Sequence, residues 1–176
     1  TPTTNATRYT APFALTNTTV VKTKGFKVGY VDSSVAVATF LNSSSVGTGA
    51  GLRGEYYSNQ LKTFINPSTL VRTDATVNFN WGSGSPDPSI SADIFTVRWT
   101  GAVQPPLSDV CTFYTTTDDG VRLWINDQLI IDSWVDQGPT ERSGSVTLVA
   151  QQRYDIRMEY YENTGGAVAT LSWSTP

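Results

Sequence analysis

TTTDDGVRLWINDQLIIDSW, residues Thr115 to Trp134, contains a complete hairpin signal. Val121, Leu123 and Ile125 alternate with Arg122 and Trp124, the period of a strand with one buried face. Asn126 and Asp127 follow, two residues that accept the positive φ angles of a two-residue turn, and LIIDSW returns as the second strand. Ahead of the hairpin stand two adjacent carboxylates, Asp118 and Asp119, then Gly120. Neighbouring side chains in a strand point to opposite faces, so two aspartates that act together need an irregular backbone beside them. Gly120 eases such a departure. A hard cation rewards it, because carboxylate oxygens are its preferred ligands. The plainer alternative is an Asp-Asp-Gly turn ahead of a strand.

The same alternation extends on both sides. IFTVRWT (94–100) sets Phe95, Val97 and Trp99 against Thr96 and Arg98. SVTLV places Val146 and Leu148 inward. RYDIRMEYYE (153–162) places Tyr154, Ile156, Met158 and Tyr160 on one face and Asp155, Arg157 and Glu159 on the other. AVATLSW (167–173) closes the chain in the same way, and the loop NWGSGSPDPSISAD (80–93) is punctuated by proline and glycine. No segment keeps a helical period over three turns. Many short antiparallel strands predict an all-β domain over residues 52–176, either an antiparallel β-sandwich (jelly-roll-like) or a barrel.

Upstream, residues 1–41 contain three short β-type runs, FALT, TTVVKTKGFKVG and VAVATF. Three strands cannot bury both sides of a sandwich, so a partial β domain is expected there. NSSSVGTGAG, residues 42–51, reads as a linker. Asn5, Asn17 and Asn42 each begin an Asn-x-Ser/Thr triplet, relevant only in a glycosylating host.

Composition narrows the chemistry. The formal net charge is -3, which disfavours nucleic acid or an anionic membrane surface as partner. The 176 residues include no histidine, which excludes His-based zinc sites and Ser-His-Asp triads. Cys111, the single cysteine, can form no disulfide within the chain and reads as a small buried hydrophobe. No run reaches the length of a membrane span. Few lysines, many Thr, Ser and Asn, and abundant aromatics suit a secreted or cell-surface protein. The abrupt start at TPTTNATRYT reads as a piece of something longer, with any export signal upstream.

Two resemblances add to this. GLRGEYYSN (51–59), FNWGSGSPDP (79–88), FTVRWTGAVQPP (95–106), TFYTTTDDGVRLWINDQLIIDSW (112–134) and EYYENTGGAVATLSW (159–173) follow one another in an order that resembles the anthrax protective antigen N-terminal domain family. That family also occurs in yeast flocculins, epithelial adhesins and accessory parts of glycosidases. Thr1-Pro2-Thr3, Tyr9, Pro12, Leu15 and the strand Val20 to Thr23 resemble the second half of the C-terminal immunoglobulin-like domain of chitobiases and β-hexosaminidases. That half implies a spacer or accessory module.

In sugar-binding members of the first family, consecutive aspartates joined by a cis peptide hold Ca2+, and the resemblance assigns that role to Asp118 and Asp119. Two aspartates do not fill a shell of about six to eight oxygens. The resemblance adds the late loop ENTGGA (162–167), with Asn163 as a side-chain ligand and carbonyls from Gly165 and Ala167. Remaining coordination places suit two vicinal sugar hydroxyls, whose protons go to Asp118 or Asp119. Trp134 is the candidate stacking aromatic and Glu162 a candidate polar contact to carbohydrate, although half-buried packing and a plain exposed acid are the ordinary alternatives. The late loop here is shorter and richer in glycine than in adhesins. The expected function is a non-catalytic, calcium-dependent carbohydrate-binding module, monomeric within a secreted polysaccharide-degrading enzyme or surface protein. The alternative is a structural or protein-interaction module braced by calcium. Catalysis by Asp132 or Glu162 paired with an aspartate is the third class, with nothing singling it out.

Overall fold

The computed structural model describes residues 1–13, 19–40 and 49–175, and the chain divides into two units, Thr1–Gly47 and Thr48–Pro176. The first unit contains an antiparallel pair, β1 (Thr19–Thr23) and β2 (Ala36–Phe40), with Thr19 opposite Phe40 and Thr23 opposite Ala36. Lys24 pairs with Asp32, and the Gly25 amide donates to Ser33 Oγ, which ties the connecting loop together. None of residues 1–13 and 19–38 is buried. A two-stranded pair has no second layer against which to bury a face. The FALT run lies, apart from Phe13, outside the described residues, as do Asn17, Asn42 and residues 42–48 of the linker.

The second unit is built from ten strands: β3 (Leu52–Ser58), β4 (Leu70–Asp74), β5 (Asn78–Gly82), β6 (Phe95–Val103), β7 (Asp109–Asp118), β8 (Gly120–Ile125), β9 (Gln128–Ser133), β10 (Thr140–Leu148), β11 (Tyr154–Glu162) and β12 (Ala167–Ser174). They form two antiparallel sheets, ordered β10-β7-β12-β5 and β4-β3-β6-β11-β8-β9. The inward residues of both sheets meet in one core. Phe79, Cys111, Phe113 and Ala169 come from the smaller sheet, and Val97, Trp99, Leu123, Met158 and Tyr160 from the larger. Alternation therefore placed the core faces correctly, and the all-β sandwich follows from it. The Asn126-Asp127 turn forms with both residues at positive φ, joining β8 to β9.

Two residues expected on polar faces are instead buried. Thr96 is covered by the 59–69 loop, where its hydroxyl donates to the Thr63 carbonyl at 2.6 Å. Glu159 lies under that loop and holds Arg98 at 2.8 Å, while the Arg98 guanidinium stacks over Phe64. The outer face of the larger sheet thus carries a second apolar layer: Phe64 meets Tyr57 edge-on, and Trp134 meets Tyr161 edge-on.

One buried acid is held wholly by the fold. Asp74 Oδ2 accepts from the Tyr56 hydroxyl at 2.6 Å and from Trp99 Nε1 at 2.7 Å, while Oδ1 accepts from Arg72 Nε at 2.7 Å. Gly54 makes room: a Cβ there would lie 2.6 Å from Asp74 Oδ2.

The chain passes between the sheets four times at one end of the sandwich. The β5–β6, β7–β8, β9–β10 and β11–β12 connections all lie there, because Gly82 pairs with Ala167, Thr140 with Thr117, and Phe95 with Glu162. The β3–β4 loop ends at the same side, since Ser58 pairs with Phe95.

Candidate metal centre

The crossovers bring the acids together. β7 belongs to the smaller sheet and β8 to the larger, and the step between them is the Asp118–Asp119 peptide, which is cis. Carboxylate oxygens of Asp118, Asp119 and Glu162 all lie within 4.8 Å of one another. Gly120 serves this corner differently from the sequence-based expectation. It does not take positive φ. A Cβ there would sit 2.2 Å from the Tyr161 ring, so glycine is needed for close packing.

Asp119 is 5% exposed and well held. Its Oδ1 accepts from the Gln137 amide at 2.9 Å, and its Oδ2 from the Asn163 amide at 2.8 Å. Gln137 Nε2 also donates to the Asp119 carbonyl at 3.2 Å. Asp118 is half-buried, and burial together with the Asp119 charge raises its pKa.

Glu162 departs most from expectation. The sequence suggests either a polar contact to sugar or a plain exposed acid; the residue is 0% exposed. It continues the core-facing set of β11, two residues beyond Tyr160, and that periodicity was the signal that could have found it. So buried, its side chain is closed to a sugar at the surface. The Tyr160 hydroxyl donates to the Asp118 carbonyl at 2.5 Å and lies 2.9 Å from Glu162 Oε2. Among the described residues, Glu162 Oε1 has no hydrogen-bond partner. Burial, followed by the charges of Asp119, Asp118 and Asp93, pushes the Glu162 carboxyl up to about 8 against the opposing hydrogen bond from Tyr160. A buried carboxylate oxygen without a donor, facing two further carboxylates, is short of positive charge.

The late loop closes one side. Gly165 sits at φ +110, a region natural to glycine, and its amide donates to Asp93 Oδ1 at 3.1 Å. A Cβ on Gly166 would come 3.3 Å from Asp118 Oδ2, so the loop backbone runs close to that carboxylate. Ala167 is buried and opens β12 opposite Gly82, with a bulge after it. The Asn163 carbonyl accepts from the Ile94 amide at 3.0 Å. Its side-chain Nδ2 donates to Asp136 Oδ2 at 3.1 Å.

Trp134 is held by aromatic neighbours and an arginine. It is half-buried, tilted against Phe64 with ring centres 6.4 Å apart and edge-on to Tyr161 at 4.8 Å, and the Arg122 guanidinium lies 4.8 Å over its ring. Asp132, weighed as a catalytic partner, is exposed and pairs with Arg122 at 2.9 Å. Sequence reasoning missed Asp93, Asp136 and Gln137. All three lie in loops, where no periodicity marks a direction.

The donor set suits a hard, oxygen-seeking ion. Three carboxylates are at hand, Asn163 follows in the loop whose amide holds Asp119, and neither imidazole nor an accessible thiolate is present. A Ca2+ ion held by Asp118, Asp119 and Glu162, with Asn163 at the rim, would give the Glu162 orphan oxygen its missing positive partner.

Comparison with known proteins agrees with the fold. Over 129 residues the chain is 50% identical to the anti-sigma-I factor RsgI3 of Acetivibrio thermocellus, a match covering 73% of this chain and 20% of that protein. A solved anti-sigma factor domain-containing protein is 49% identical with a TM-score of 0.68, covering 72% of this chain and 43% of the other. The PA14 sugar-binding domain of an RTX adhesin superposes with a TM-score of 0.58 at 19% identity, over 72% of this chain and 90% of that domain, a likeness of fold. The chain thus spans a fifth of that curated relative and less than half of that solved one. The PA14 domain model matches residues 49–176, and the chain belongs to the PA14 domain family.

Proposed function

We propose that residues 49–176 form a non-catalytic, calcium-dependent carbohydrate-binding module that works outside the cell as part of a longer protein. The observation that carries this is the buried, partnerless Glu162 oxygen facing Asp118 and Asp119. Repulsion within the group is relieved by a divalent cation, and open coordination places on that cation suit the vicinal hydroxyls of a sugar. Asp118, the more exposed of the aspartates, is placed to accept a hydroxyl proton from the bound diol. The solved relative described as a sugar-binding domain supports the ligand class.

A glycosidase reading has less support. Its two carboxylates flank a cleft and divide the roles of acid and nucleophile or base. Here the carboxylates form one knot that suits a single shared ion. The 50% identity to an anti-sigma-I factor favours a sensing role in a regulatory protein over an accessory role in a hydrolase. Residues 1–41, with their chitobiase-like pattern, serve as a spacer in this arrangement.

One observation favours a bracing site without sugar. Both Asp119 oxygens already accept backbone amides, from the β9–β10 and β11–β12 connections, so the acid ties crossovers together by itself. Calorimetry with Ca2+ and a glycan array with and without EDTA, on the full chain, separate the two. Calcium binding plus a glycan signal lost in EDTA is expected. Calcium binding with no glycan signal leaves the bracing site, and no calcium binding overturns both.

A further inference from the structure

Asn163 is the proposed ligand whose side chain must point correctly, since only one of its two terminal atoms can face a cation. Its backbone is already committed: the amide donates to Asp119 Oδ2, and the carbonyl accepts from Ile94. On the side chain, Nδ2 is taken by Asp136 Oδ2 at 3.1 Å, and Oδ1 has no partner among the described residues. A carboxylate accepts and cannot donate, so Asp136 admits only the NH2 end of the amide.

Asp136 is itself fixed from two further directions. The Tyr161 hydroxyl donates to its Oδ1 at 2.6 Å, and Lys62 Nζ reaches the same oxygen at 3.0 Å. The Lys62 ammonium also lies 4.4 Å over the Tyr161 ring. Tyr161 in turn packs over Gly120, next to Asp119. The next residue, Gln137, grips Asp119 through its amide and its side chain.

From this convergence we infer that Asp136 is a positioning residue for the metal centre: it orients the Asn163 carboxamide so that Oδ1 is left for the cation, with Lys62 and Tyr161 holding Asp136 in place. The inference rests on the proposed calcium site and adds a residue outside the ion's own shell. Partners of this kind shift metal affinity about 10–100-fold when removed. Half of the Asp136 side chain is exposed, at 53%, so its loss leaves the core untouched.

The test is Ca2+ affinity of the full chain by calorimetry, beside the melting temperature in EDTA. Asp136→Ala is expected to weaken Ca2+ binding about tenfold while the EDTA melting temperature stays within about 1 °C of wild type. Asp136→Asn removes the same charge but keeps an oxygen that accepts from Asn163, so it should retain affinity within about threefold of wild type. In an Asn163→Ala background, Asp136→Ala should add no further loss, since coupled groups are non-additive. Equal losses in Asp136→Ala and Asp136→Asn would mean simple charge attraction and overturn the inference. So would full additivity with Asn163→Ala, or unchanged affinity in Asp136→Ala. Absence of Ca2+ binding in the wild-type chain would overturn the proposed function first, and this inference with it.

Discussion

Asp74 and Glu162 are both buried acids in the same sandwich, 6% and 0% exposed, yet the fold treats them in opposite ways. Asp74 receives a guanidinium, an indole N–H and a phenol, so each of its oxygens is satisfied. Glu162 has one phenol nearby, an oxygen with no partner among the described residues, and a carboxyl pKa raised first by burial and then by three neighbouring acids. The first is a finished structural contact. The second is left incomplete by its own residues, and the proposed cation would supply the positive charge that it lacks.

The sharpest way to break the contrast is to remove Asp74. Asp74→Ala strands the Trp99 N–H and the Arg72 charge, and losing one partner of a buried pair costs about 3–5 kcal/mol. Urea unfolding should show that loss equally in EDTA and in Ca2+. A loss present only in EDTA would mean that Asp74 belongs to the metal centre and that the two acids are not different in kind.

Next in size is Asp119→Ala. At Ca2+ about a hundredfold above Kd, ligand binding stabilises the wild type by about 2.7 kcal/mol, and the variant should lose that increment. Thermal melts with and without Ca2+ read it directly. A variant that keeps the full Ca2+-induced rise in melting temperature removes Asp119 from the ligand set.

The smallest effect is the most diagnostic. With the Glu162 carboxyl pushed up to about 8, the folded protein must hold it protonated at pH 7 although the unfolded chain ionises it; Glu162→Gln removes that cost and should stabilise the fold in EDTA by about 1 kcal/mol, while Ca2+ affinity falls. Opposite signs in the two conditions are expected from Glu162 and not from Asp74. Destabilisation in EDTA would mean that the hydrogen bond with Tyr160 outweighs the repulsion, and the contrast would narrow to geometry alone.

Much of the sandwich could be read from residue order. Val121, Leu123 and Ile125, or Ile156, Met158 and Tyr160, alternate because a sheet buries one face, and Asn126-Asp127 marks its turn through local backbone preference. The acidic pair was visible for the same local reason. Its third member, Glu162, was named only as a polar sugar contact or an exposed acid: it stands both last in the 153–162 strand and first in the ENTGGA loop, and only the strand period shows that it faces the core. Thr96 and Glu159 were assigned to solvent because alternation does not know that the 59–69 loop folds back over the sheet.

Period and turn chemistry in residues 52–176 are local properties, so they carried strand identity, face and the Asp118-Asp119 motif without help from the rest of the chain. Which acids share one space is a matter of connection, and four passages between the sheets at one end bring residues 93, 118–119, 136–137 and 162–163 into one region. Their charges meet only after those passages close, because through-space repulsion and burial depend on distances that no sequence spacing encodes.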